Sequence, residues 1–319
     1  MINSAFSVYG AKIGVCSQIE LEFSKNFTYK FGTYVRELNY IPTNLDATIY
    51  LIEDKLPLPH FSVLPNRLFC VGDFVGINHK YGDVHSIIRY VMYAYTLSVL
   101  ERVRRILSCH ASAVYNQDKN TVLLFVGTAG AGKTSLLLEA IERDWQIVGN
   151  DLVSIEINEE YPLFYTGPAN CPVKSHTLKS HMDFLIKNNI QFDKKKVEEG
   201  GWLATDSLEL KSFSVPKEVI RDPNILLILP KIESSATTCS LLKVEAYHKI
   251  REEIYEYATE KIRAESLMNY RFPVPSFDDQ QTMYQRIALV ESFIKHIEGV
   301  YFAFGHAEGA FREIERKLQ

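Results

Sequence analysis

Residues 121–141 read TVLLFVGTAGAGKTSLLLEAI, a glycine-rich loop set between an apolar run and a leucine-rich segment. The loop itself, GTAGAGKT, has the spacing G-x-x-x-x-G-K-[ST]. A loop of this kind holds an anion only if a buried strand leads into it and a helix N-terminus stands behind it, because inward-turned backbone N–H groups and the helix dipole act together. TVLLFV suits the strand and SLLLEAIE the helix, so the pattern predicts an α/β core built around the loop. Gly127, Gly130 and Gly132 permit the tight turn, and Thr128, Ala129, Ala131 and Ser135 complete the nucleotide-binding stretch. Lys133 is expected at the β- and γ-phosphates of ATP, and the Thr134 hydroxyl on Mg²⁺.

The rest of the chain bounds this reading. Its 319 residues suffice for one large core or two domains. With 46% hydrophobic and 23% charged residues, the composition is that of an ordinary globular protein. A net charge of −4 and dispersed basic residues give no electrostatic case for nucleic acid. The five cysteines (Cys16, Cys70, Cys109, Cys171, Cys239) are odd in number and form no C-x-x-C pair, which points to reduced thiols in a cytoplasm. MINSAFSVYG lacks the basic flank and apolar block of a signal peptide. The most membrane-like window, Ile87 to Leu107, is cut by Arg89 and crowded at its end by Glu101, Arg102, Arg104 and Arg105. That leaves an uncharged run well short of the ~20 residues that span a bilayer, so a buried helix and no membrane contact are expected.

Residues 1–83 read as short strands broken by Pro42, Pro57, Pro59, Pro65 and several glycines, a small β-rich or mixed domain. A second domain, 84–319, opens on a helix from about Val84 to Leu107 and then alternates strands with helices. A strand pair turns at Asn116 to Asn120, the loop and a helix to about Arg143 follow, and IVGNDLVSIEI reads as one strand. Further helices are expected at His176 to Lys187, Val244 to Glu265 and Phe277 to Ile297. ILLILPKI and VYFAFG are strands, AFREIERKL is a terminal helix, and the charged segment DKKKVEEGG is a surface loop.

Motor and signalling NTPases carry a strand ending in an acid that holds Mg²⁺ and places a water. The strand-end acid at a useful distance here is Asp151, whose strand follows the loop's helix and is expected beside the loop's strand. It could hold the metal or accept a proton from an attacking hydroxyl. No N-K-x-D guanine motif is present; NQDK at 116–119 mimics one but precedes the loop.

H-A-S-A-V, G-T-A-G-A-G-K-T-S and R-D-W-Q-I-V-G-N-D together resemble the catalytic domain of HPr kinase/phosphorylase and the wider set of HPr-kinase-like proteins, including those of ribosomal-peptide modification clusters. The resemblance covers about residues 105–160, with SLMNYR at 266–271 as a further fragment. It implies a P-loop domain of the HPr kinase/PEP carboxykinase-like type. It also implies an ATP- and Mg²⁺-dependent phosphotransferase in which His110, Lys133, Asp151 and Arg271 serve catalysis, and Thr134 and Asp151 the metal. The acceptor would be a hydroxyl of a protein, peptide or small molecule, and homo-oligomerisation stays open. Where the family has an acidic pair, this chain has Asn150 before Asp151, and a family glutamate is replaced by Ser154. The departure keeps a second expectation alive, a non-catalytic nucleotide sensor, with an ATPase acting on a protein partner as a third. In VKSHTLKSH, Lys174, His176, Lys179 and His181 read as a solvated helix face, and His306 in GHAEG carries no assigned role.

Overall fold

The computed structural model describes residues 3–18, 31, 34–56, 59–73, 84–167, 169–193, 195, 198, 205–263 and 276–319. By contacts the chain divides into two compact units, Met1–Ser108 with Ala258–Val290, and Cys109–Tyr257 with Glu291–Gln319. The expected boundary at 83/84 falls inside the first unit. The class is mixed α/β.

In the first unit, β1 (Ser4–Val8) and β2 (Ala11–Ser17) form an antiparallel hairpin. Its two turn residues, Tyr9 and Gly10, are both left-handed, with φ of 47° and 82°, which matches the twist of the flanking strands. With β3 (Val35–Glu37), β4 (Ala47–Glu53), β5 (His60–Leu64) and β6 (Arg67–Gly72) they make a sheet in the order β3-β1-β2-β4-β6-β5. β2, β4 and β6 run parallel, with antiparallel strands at both edges. Helix α1 (Val84–Arg104) packs on β2 and β6 and buries Ile88, Val91, Leu97 and Leu100. It stops short of the expected Leu107 because Arg105 is left-handed (φ 56°), and Ile106–Cys109 continues as strand β7. Among the described residues no helix is long and apolar enough to cross a membrane.

The second unit is built on β8 (Ala111–Asn116), β9 (Thr121–Val126) and β10 (Gln146–Gly149). Helix α2 (Lys133–Ile141) joins β9 to β10. β11 (Val153–Ile157), β12 (Pro162–Tyr165) and β15 (Val219–Arg221) pair antiparallel in a smaller sheet, while β13 (Asn170–Lys174) pairs with β14 (Thr205–Glu209). Between those last two lie the short helices α3 (Ser175–Ser180) and α4 (Met182–Lys187). β16 (Asn224–Ile232), β17 (Ser240–Lys243) and helix α5 (Tyr247–Thr259) follow; helix α6 (Gln280–Ile294), which belongs to the first unit up to Val290, precedes β18 (Ile297–Gly305) and α7 (Ala307–Lys317).

The main sheet has the order β10-β8-β9-β16-β18-β17, and β9, β16 and β18 are parallel. Every residue of β9 is buried, as a continuous apolar run predicts for a strand covered on both faces. One face is closed by α2 and α7: Leu136, Leu137 and Ala140 meet Phe311 and Ile314 over Val114, Leu123 and Phe125.

Three local expectations are corrected. IVGNDLVSIEI is two strands, β10 and β11, because Asp151 takes a left-handed turn (φ 64°) between them. The strand leading to Asp151 does not lie beside β9: the tight β8–β9 hairpin puts β8 there, and β10 pairs with β8. The expected helix over 176–187 is broken at His181, whose backbone (φ −114°, ψ 13°) separates α3 from α4.

Candidate functional site

The glycine loop connects the carboxyl end of β9 to α2, and its backbone explains its composition. Gly132 caps α2 in the left-handed region (φ 104°), and a Cβ there would sit 2.4 Å from the Ile232 Cβ. Both the backbone angle and the contact with β16 therefore demand glycine. Gly130 is also left-handed, with φ 88° and open space around it, and Gly127 is buried against Ala131 and Pro230. Ala131 N–H donates to Thr128 O, and Ile232 N–H to Ala131 O, tying the loop to the end of β16. Lys133 is buried, and its Nζ folds back to the carbonyls of Gly127 (2.5 Å) and Thr128 (3.2 Å).

A cleft of about 800 Å³ opens in front of this loop. Ala129, Gly130, Gly132, Lys133, Thr134 and Ser135 line one side of it. His110, Asn150 and Asp151 line it too, so the structure gathers most of the sequence-predicted residues around one space. His110 Nε2 lies 3.2 Å from Asp151 Oδ1, the imidazole nearly buried and the carboxylate about a third exposed. The break after β10 turns Asp151 into the cleft. Asn150, 4% exposed, is held by Ser112, whose Oγ donates to Asn150 Oδ1 at 2.7 Å. Ser112 stands on β8, the strand that pairs with β10, so strand pairing fixes the amide's position. Arg271 and the rest of the 266–271 fragment lie outside the described residues, as does most of the charged segment 193–201.

Other elements complete the lining of the cleft. Lys174, His176, Thr177, Ser180 and His181 reach the cleft from the end of β13 and from α3, and Glu233 to Ser235 and His306 to Glu308 from the ends of β16 and β18. The reading of Lys174, His176, Lys179 and His181 as a solvated face holds for Lys179, which is exposed, and is corrected at His181, which is 2% exposed with its Nδ1 2.6 Å from Glu142 Oε1. Burial, with Lys174 second, lowers the pKa of His176. His306 caps α7 by accepting at Nδ1 from Gly309 N–H.

These residues suit an anion of the phosphate type. A left-handed glycine at a helix start, a lysine at its first position and further N–H groups in the turn form a positive cradle. Thr134 and Asp151 are the oxygen donors that suit a hard cation, while Asn150, with its carbonyl oxygen taken by Ser112, supplies no second carboxylate. No protein-family model matches the chain, and no curated protein matches its sequence.

Proposed function

We propose that the chain is an ATP- and Mg²⁺-dependent phosphotransferase of the HPr-kinase-like, P-loop kind, moving the γ-phosphate to a hydroxyl of a protein, peptide or small molecule. The observation that carries this reading is the meeting, in one cleft, of the Gly130–Ser135 cradle and the His110–Asp151 pair. A bound Mg²⁺ would supply neutralisation of the phosphate oxygens. Lys133 exchanges its two loop carbonyls for phosphate oxygens when the nucleotide enters. Thr134 and Asp151 would hold the metal. The Asp151 carboxylate receives the acceptor's hydroxyl proton, with His110 Nε2 beside it to steady the charge. Most of the acceleration comes from positioning and electrostatic stabilisation rather than from covalent chemistry.

Asn150 favours a second reading, a nucleotide sensor without chemistry, because the buried amide bonded to Ser112 occupies a position where the family resemblance has an acid. Incubation with γ-labelled ATP, Mg²⁺ and cell extract separates the two. Label on an acceptor is the expected result, and intact ATP bound at unit stoichiometry would replace the kinase by the sensor. Lys133→Ala should abolish nucleotide binding, read by calorimetry, with the circular dichroism unchanged. ATP affinity near that of the wild type would remove the basis for both readings.

A further inference from the structure

Beside the cleft stands a cluster that phosphate transfer does not use. Glu139 on α2 and Glu142, which caps the C-terminus of that helix, are three residues apart and so lie on the same side of it. His181, at the break between α3 and α4, reaches that face from a separate element. One donor atom from each of the three lies within 4.8 Å of the others. The imidazole and Glu139 are 2% and 7% exposed, so this is not a surface patch of acids. Two carboxylates, Glu139 and Glu315, share the Arg143 guanidinium, 2.6 Å from Glu139 Oε2 and 3.5 Å from Glu315 Oε2, while Glu142 meets His181.

We infer that Glu139, Glu142 and His181 form a binding site for one divalent transition-metal ion of the Zn²⁺ type. Two carboxylates and an imidazole, on a helix and on a helix break, are the donor set that borderline ions take, and an imidazole is a poor ligand for Mg²⁺ or Ca²⁺. The ion replaces the proton shared between His181 Nδ1 and Glu142 Oε1, and its charge offsets the carboxylate excess. Arg143 keeps Glu139 Oε2, and the other oxygen of that carboxylate faces the ion. Glu139 and His181 also line the cleft, so the remaining coordination positions open toward solvent. The site is independent of the nucleotide reading, since none of its three residues belongs to the cradle or to the His110–Asp151 pair.

The test is titration of the full chain, without nucleotide, with Zn²⁺ by calorimetry, and with Co²⁺ by visible absorption. One ion per chain is expected, with imidazole-dependent d–d bands. Glu142→Gln, which keeps the shape, and His181→Ala should each weaken Zn²⁺ binding by at least about tenfold, while Lys133→Ala leaves it unchanged. Should His181→Ala fail to fold, Glu142→Gln alone decides. Absence of Zn²⁺ binding in the wild type, or binding that survives Glu142→Gln undiminished, would make the trio a buried ion pair and overturn the site. Because Lys133→Ala removes only the nucleotide, failure of the metal site and failure of the phosphotransferase reading are separately visible.

Discussion

At the scale of single residues, the candidate site divides into what a short window encodes and what it does not. The glycines were legible because their constraint is local: Gly130 and Gly132 need left-handed backbone within the same turn that the lysine follows. Ser112 was not legible, because its bond to Asn150 exists only through the pairing of two strands far apart in sequence. That bond also bears on what Asn150 does. Its Oδ1 accepts from Ser112, so the amide keeps a hydrogen-bonding shape in a buried place while offering no charge to a cation. Asn150→Asp preserves the Ser112 contact and adds a carboxylate beside Asp151. If Asp151 handles the proton alone, turnover of the labelled acceptor should change less than about tenfold, or ~1.4 kcal/mol. An inert wild type awakened by this substitution would assign the chain to the sensor class.

At the scale of elements, periodicity found most strands and helices but not their neighbours. The buried run of β9 and the leucines of α2 announced themselves, yet the sheet order, with β8 beside β9 and β16 on its other side, follows from a hairpin and a distant parallel pairing. For that reason the residues after β16 and β18, including His306, came to the cleft unforeseen: they lie at the carboxyl ends of strands parallel to β9, on the side where the glycine loop emerges. The break at His181 was hidden for another reason. VKSHTLKSH has a helical pattern throughout, and it is the docking of the imidazole against Glu142 that spends the residue on a turn. The contact of α7 with α2 is what holds the helix behind the loop. Phe311 is fully buried, lies edge-on to Trp145 with ring centroids 6.0 Å apart, and carries the Arg143 guanidinium over its ring. Phe311→Ala should therefore cost about 3–5 kcal/mol in denaturant unfolding. It should also loosen α2, seen as faster hydrogen exchange at Leu136 to Ala140 than at α5. Equal exchange in both helices would show that α7 does not brace the loop's helix.

At the scale of the whole molecule, the first compact unit contains a buried charge network. Arg286, fully buried, donates from Nε to Glu101 Oε2 at 2.9 Å and from its two terminal nitrogens to both oxygens of Asp278. Two carboxylates share one guanidinium, and the deeper of them gives way: burial pushes Glu101 up to about 7 against the pull of Arg286. The sign of the linkage follows. The folded state holds a proton on Glu101 that the unfolded chain, with an ordinary carboxylate, has released, so between about pH 4.5 and 7 folding is favoured by acid. This stabilisation is complete below the unfolded pKa and is lost as pH rises through the folded one, up to about 3 kcal/mol. Glu101→Gln removes the titrating group while keeping its shape and a hydrogen-bonding carbonyl for Arg286. In unfolding experiments on the full chain from pH 5 to 8, the wild-type advantage over the Gln variant should shrink as pH rises, which isolates Glu101 from the histidines that titrate in both proteins. If instead the difference grows with pH, Glu101 is ionised in the folded protein and the network is an ordinary buried ion triad, with Arg286 fully satisfied by two charged partners.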